Sequence, residues 1–245
     1  DNVNDYHRIA YIKNAQISWK TGNLTLTGGL ISTIQFNMQE KFWGYRYIMK
    51  SFQDEYKFGS SADLGLSAEY EFADWISADA TIVNGEGYKK IQKNDGLMYG
   101  LGATLTPLKG LSMRIYYGLN ETTDPTKENK QNLATFIGYK GKGFSIGSEY
   151  NLYMNNGNIK GNDLYGFSVY GSVKASKSTD IYARYDNLSS KNDWNKAKDE
   201  SASIAGLQVK LGEYVKIARN FRVSMPKQDN AENRYMGYVS CHFGF

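Results

Sequence analysis

The feature that most constrains this 245-residue chain is a double alternation, of side chains within segments and of connection lengths between them. Apolar and polar residues alternate with period two in thirteen segments, near 7–20, 23–36, 62–72, 75–84, 96–106, 110–120, 131–140, 143–154, 164–174, 179–188, 202–211, 213–225 and 234–245. That period is the signature of a strand with two unlike faces, and no segment carries a helical stripe. One set of connections is tight, at 21–22, 73–74, 107–109, 141–142, 175–178 and 212. The other is long and polar, at 39–61, 85–95, 121–130, 155–163, 189–201 and 227–233. Tight and long follow each other strictly. An up-and-down meander with all turns at one end and all loops at the other produces that order, and a Greek-key sandwich has no reason to keep it. Pro107, Pro125 and Pro226 are all expected outside strand interiors, since proline cannot donate to a ladder.

One face of each segment suits hydrocarbon and the other suits water. In 110–120, Leu111, Met113, Ile115, Tyr117 and Leu119 oppose Ser112, Arg114, Tyr116, Gly118 and Asn120. Segments of about 9–11 residues are what a tilted membrane strand requires. Aromatic residues collect at both ends. Trp19, Phe72, Trp75, Tyr139, Phe144, Tyr214 and Phe245 lie near tight turns or the terminus, and Tyr99, Tyr117, Tyr165, Tyr185 and Tyr235 near long loops. Two interfacial girdles are therefore expected. The expected fold is all-β: a transmembrane antiparallel up-and-down β-barrel, with residues 1–245 forming one domain.

Composition narrows the field further. No run approaches the roughly 18 apolar residues of a spanning helix, and mean hydropathy is −0.55. With 25 glycines, 20 tyrosines and 11 phenylalanines the chain is too aromatic for disorder, and one cysteine cannot make a disulfide scaffold. Two histidines and one cysteine offer no ordinary zinc set. A net charge of +4 gives no argument for nucleic acid. No cofactor or metal is expected. The chain opens at Asp1 without an apolar leader, so a secretory signal is expected to have been removed.

The last strand sets Tyr235, Gly237, Val239, Cys241, Phe243 and Phe245 on one face and ends on phenylalanine. This resembles the C-terminal signature of bacterial outer-membrane barrels. The stretches RIAYIKNAQISWK (8–20), EKFWGYRYI (40–48), FGSSADLGLS (58–67) and IVNGEGYKK (82–90) resemble porins of Bacteroidota type, akin to the phosphate-selective porin O and P group. The close resemblance covers about residues 8–90. It implies a trimeric or monomeric outer-membrane diffusion channel, commonly of about sixteen strands. It supplies no solute, because the arginine ladder of phosphate-selective members has no positions assigned to it here. Thirteen strands also conflict with the even strand number of single-chain bacterial barrels. The expectation is that one to three strands precede this chain, giving 14–16, and that Asp1 to Tyr6 is the tail of an outer loop.

Parity assigns the pore lining. Asp63, Glu69, Glu71 and Asp79 come from one flank and Lys174, Arg184, Lys210, Lys216 and Arg222 from the other, with Arg114 between and Glu149 and Asp186 as exceptions. Segregated charge would place a transverse field across the pore. The longest loop, 39–61, holds Phe42, Trp43, Tyr45, Tyr47, Phe52, Tyr56 and Phe58. Seven aromatics are costly to expose, so the loop is expected to fold against the wall or into the pore, with Lys41, Arg46 and Lys50 beside Trp43 and Tyr45 at a constriction; a structural lid or partner-binding patch is its rival. Arg219 shares the lipid-facing parity of Val215, Ile217, Phe221 and Val223 unless a bulge turns it inward. His7 and His242 have no nucleophile or carboxylate fixed by spacing, so no enzyme is expected. The glycine- and asparagine-rich 155–163 lacks the spacing of a calcium loop and is expected as a plain loop. Expected partners are outer-membrane lipid and small hydrophilic solutes or ions, with a possible homotrimer. The alternative is a structural barrel subunit of a larger outer-membrane complex for secretion or biogenesis. A soluble, sugar-binding β-sandwich is a more distant rival.

Overall fold

The computed structural model describes residues 12–90 and 96–244. His7, Phe245 and part of the 85–95 loop therefore lie outside the described residues. Thirteen strands form one sheet in chain order: β1 (Ala15–Thr21), β2 (Leu24–Ser32), β3 (Ala62–Ala73), β4 (Ile76–Val83), β5 (Met98–Leu105), β6 (Leu111–Asn120), β7 (Lys130–Gly141), β8 (Phe144–Met154), β9 (Leu164–Lys174), β10 (Thr179–Ser190), β11 (Glu200–Leu211), β12 (Val215–Pro226) and β13 (Arg234–Phe243). Every neighbouring pair is antiparallel. Among the described residues β1 pairs only with β2 and β13 only with β12, so the barrel wall is not closed. No helix is long and apolar enough to cross a membrane; the strands make the crossing.

The period-two pattern survives folding as a burial pattern. In β6, Met113, Ile115 and Tyr117 are exposed on the outside, whereas Arg114 and Tyr116 are 7% and 2% exposed. Trp19, Phe72, Trp75, Tyr139, Phe144 and Tyr214 are exposed near the tight-turn end, and Tyr99, Tyr117, Tyr165 and Tyr235 near the loop end. Tyr185 is half-buried, with its hydroxyl 3.2 Å from Ser201 Oγ. The tight turns depend on backbone freedom: Gly22 and Gly143 reverse the chain at φ +53° and +83°, where a Cβ would be strained.

Three features differ from the sequence expectation. The second strand ends at Ser32, because residues 33–36 turn inward and bury Phe36 to 1% exposure. Two short helices, α1 (Asn37–Trp43) and α2 (Phe52–Glu55), occupy the following loop. At 7 and 4 residues they are too short to show a stripe or to persist alone, so packing holds them. Pro226 ends β12 rather than lying in a loop, opposite Glu200 at the last rung. Arg219 is exposed on the lipid face, and its rungs to Leu207 and Val239 are unbroken, so no bulge turns it inward.

Candidate functional site

The site is the inner face of the wall and the loop that enters it. Residues 33–61 leave β2 at the loop end and run into the barrel instead of out into solvent. They reach side chains on β6 through β13, which requires the sheet to curl around them. Phe42, Trp43, Phe52 and Phe58 are 6%, 2%, 0% and 1% exposed. Burying an aromatic ring stabilises by about 1.5–3 kcal/mol, so these four supply part of what offsets the entropy of ordering the loop. Phe42 meets Phe136 at 5.0 Å between ring centroids, Trp43 meets Tyr170 at 5.5 Å, and Tyr45 meets Tyr182 at 4.5 Å.

Glycines on the wall make room for these rings. Gly138 and Gly147 are register partners across β7 and β8, and both lie under Phe42. Gly166 of β9 opens a similar space for Phe52, whose Cζ would be 2.4 Å from an added Cβ. Gly44 closes α1 in the left-handed conformation at φ +74°, its amide donating to the Glu40 carbonyl.

Polar anchors come from the wall. Arg114 Nη2 donates to the Ile34 carbonyl at 3.0 Å, Arg184 Nη1 to Lys50 at 2.6 Å and Arg222 Nη2 to Ile48 at 2.5 Å. Asn132 Nδ2 donates to the Phe58 carbonyl, Tyr47 to Gln208 Oε1 and Tyr56 to Glu200 Oε1. Arg46 binds Glu40 and Asp54 and so ties α1 to α2. Burial pushes the Tyr45, Tyr47 and Tyr56 hydroxyls above the ordinary tyrosine range, with Asp186 and Glu200 adding to the effect at Tyr56.

The expected pore-lining charges are less free than their positions suggest. Asp79 and Arg114 form a buried bidentate pair at 2.5 and 2.9 Å. Arg184 and Asp186 form another at 2.8 and 2.6 Å, with Arg184 5.4 Å from the Trp43 ring. Asp63 accepts the amides of Leu64, Gly85 and Gly87. Lys210 lies 3.6 Å from Asp180, and Glu71 3.5 Å from Lys20. Glu149 is 2% exposed and accepts from Asn151. Arg222 stacks 4.4 Å from the Tyr238 ring. Glu69 and Lys174 remain exposed, and Lys216 is half-buried. Because opposite charges meet locally, little of the expected transverse separation survives.

Within the loop, Lys41 and Lys50 are exposed, whereas Trp43 and Tyr45 pack into the wall and Arg46 is held inside the loop. Trp43 Nε1 donates to the Met49 carbonyl at 2.9 Å. Lys140 Nζ sits 4.7 Å from the Phe42 ring and 3.4 Å from the Lys41 carbonyl. His242 lies 5.2 Å from Tyr47, ring to ring, and Cys241 is exposed. The anchors Asn132, Gln208 and Glu200 and the glycines under Phe42 and Phe52 were not singled out by sequence. Inward-facing glycines opposite an aromatic-rich loop are the one signal that could have found them.

The loop leaves open space beside β3–β8. One cavity of about 340 Å³ is lined by Lys41, Glu69, Asp79, Ser112, Arg114 and Lys140. Another of about 250 Å³ lies nearer the long-loop end, between residues 57–60 and β6–β8.

No protein-family model matches the sequence, and no curated protein matches it. Solved structures do. The outer-membrane expressed OmpT of Vibrio cholerae aligns with TM-score 0.68 and 16% identity over 96% of this chain and 81% of that one. OprB of Pseudomonas putida gives 0.74 and 10%, over 94% and 71%. A mutant Rh. blastica porin gives 0.62 and 13%, over 94% and 76%. At these identities the likeness establishes the architecture: an all-β, porin-like transmembrane barrel wall, built from thirteen described antiparallel strands.

Proposed function

We propose that this chain is a single-domain outer-membrane porin, a water-filled channel for passive diffusion of small hydrophilic solutes or ions, whose width is set by loop 33–61. The observation that carries the proposal is the placement of the loop. It is anchored chiefly on β7–β13, and polar, charged cavities remain beside β3–β8. A scaffold barrel has no need of charge-lined cavities beside its plug. The apolar outer wall fits membrane lipid, and similarity to outer-membrane proteins supports the location. The sequence resemblance to Bacteroidota-type porins of the O and P group supports the same function and allows a trimer. No chemistry is assigned to His242, which packs on Tyr47.

Planar-bilayer recording from protein purified in mild detergent tests the proposal. Discrete ohmic steps are expected. A silent, correctly folded barrel overturns it and favours a structural subunit of a larger assembly.

A further inference from the structure

The tight turns that join β5 to β10 carry a charge that the rest of that rim does not. Residues 105–111, 139–146 and 172–181 hold Lys109, Lys140, Lys142, Lys174 and Lys177 against one carboxylate, Asp180. Asp180 is buried and engaged by Gln208 and Lys210. Elsewhere at this end acids take part: Lys20 pairs with Glu71, and the β3–β4 and β11–β12 turns carry Asp74 and Glu213. Backbone bonds hold the basic turns side by side. The Lys140 amide donates to the Gly110 carbonyl and the Lys174 amide to the Gly143 carbonyl, both at 2.8 Å. Lys140 turns inward onto the Phe42 ring, whereas Lys109 and Lys142 stand exposed on adjacent turns.

Above these two turns the outer wall of β5–β8 is grooved. The groove has a volume of about 480 Å³ and an almost wholly apolar lining. Small side chains, Ala103, Thr135 and Ser148, make its floor, and the exposed Ile115, Ile137 and Tyr150 make its sides. The register sets this relief: Ala103, Ile115, Thr135 and Tyr150 lie in one row across four strands and alternate small with large. The next outward row toward the turns holds Tyr139, whose ring lies 5.8 Å from that of Phe144, both exposed. Exposed aromatic rings mark the membrane–water boundary. From mid-wall to turn the order is therefore an apolar groove, an aromatic pair and two ammonium groups at headgroup depth. A diacyl lipid presents the same order of parts: acyl chain, ester region and phosphate.

We propose that this strip of the outer wall binds one anionic glycerophospholipid of the leaflet at the tight-turn end, with an acyl chain in the groove and the phosphate between Lys109 and Lys142. The groove opens onto the hydrocarbon, so its occupant enters sideways from the bilayer and is an amphiphile. Phosphate accepts charge-assisted bonds from both ammonium groups. A zwitterionic headgroup gains less, because these turns offer no exposed carboxylate to its own cation. Lys174 and Lys177 on the next turn extend the basic arc and favour anionic neighbours beside the bound lipid.

Native mass spectrometry of the whole chain in mild detergent tests the site, with phosphatidylglycerol, phosphatidylcholine of identical acyl chains and lipid A as probes. Retention of one phosphatidylglycerol at about twentyfold lower lipid concentration than phosphatidylcholine is expected, since each lysine near an anionic headgroup contributes about fivefold. The preference is expected to shrink as salt is raised, which reads the charge on the unaltered protein. Lys109→Gln with Lys142→Gln is expected to abolish it, and Lys20→Gln, at the lysine paired with Glu71, to leave it unchanged. Ser148→Leu fills the groove and is expected to weaken both phospholipids alike. Equal retention of the two phospholipids, or a preference that survives the double lysine variant, overturns the inference. Lipid A held more tightly than phosphatidylglycerol overturns the assignment to a glycerophospholipid. The readout needs no conductance, so a silent barrel that fails as a channel still tests the site.

Discussion

Gly138 and Gly147 stand opposite each other across the β7–β8 ladder, and Phe42 of the inserted loop rests on both. A Cβ would lie 2.6 Å from the Phe42 ring at Gly138 and 3.0 Å at Gly147. The wall at this point is shaped for the loop as much as for the barrel. Gly147→Val is expected to cost about 1–3 kcal/mol by overpacking and to raise single-channel conductance by lifting the loop. A variant with unchanged conductance and unfolding midpoint would mean that Phe42 does not seat there.

Removing the loop's middle tests its role directly. Deleting residues 42–56 takes away the end of α1, all of α2 and most of the buried rings, and none of the strands. Single-channel conductance is expected to rise. An unchanged step size would show that the narrowest part of the path lies elsewhere.

Arg184 holds Asp186 and the Lys50 carbonyl at once. Arg184→Ala leaves a buried carboxylate without its partner, which costs roughly 3–5 kcal/mol. Replacing both, as Arg184→Met with Asp186→Leu, is expected to cost less, because Asp186 is no longer stranded and what is lost is the attraction of Arg184 for the buried Glu149 and its bond to the Lys50 carbonyl. Urea unfolding of the single and double variants checks the difference; equal losses would mean the ion pair is not what matters.

The loop tyrosines make docking sensitive to alkali. Burial raises the folded-state values of Tyr45, Tyr47 and Tyr56 above the ordinary value of about 10. A raised value contributes stability below the unfolded value and loses it as pH climbs through the folded one. Conductance is therefore expected to increase above about pH 10, together with tyrosinate absorbance, and Tyr56→Phe should blunt the change. A conductance profile that stays flat through this range, or a rise that Tyr56→Phe leaves unchanged, would separate these hydroxyls from loop docking.

Arg219 sits on the lipid-facing side between Leu207 and Val239. Arg219→Leu is expected to stabilise the protein in phospholipid vesicles by up to about 2–4 kcal/mol, the penalty for an arginine at mid-membrane. No gain in vesicle unfolding titrations would place the guanidinium against something other than hydrocarbon.

The architecture was legible because a strand's period is local. Met113, Ile115 and Tyr117 alternate with Arg114 and Tyr116 in sequence, and they face opposite sides of the wall for that reason alone. The alternation of short and long connections then fixed the meander order, and seven aromatics in one loop implied that it could not stay in solvent. The helices inside that loop were not legible, since one or two turns leave no periodic trace. The strand boundary at Ser32 was hidden for a related reason: Thr33, Ile34, Gln35 and Phe36 continue the polar–apolar alternation of a strand, but they are buried by the loop's inward turn and not by a ladder.

What the sequence determined by itself was which side of each strand meets lipid and how the strands follow one another, because both depend on neighbours along the chain. Which charges are paired and where the loop docks were decided only by tertiary structure. Asp79 and Arg114 lie 35 positions apart, and Arg184 meets a carbonyl 134 positions away. Pairing between such distant groups depends on the curl of the sheet and the path of one loop, and neither leaves a signature in local spacing.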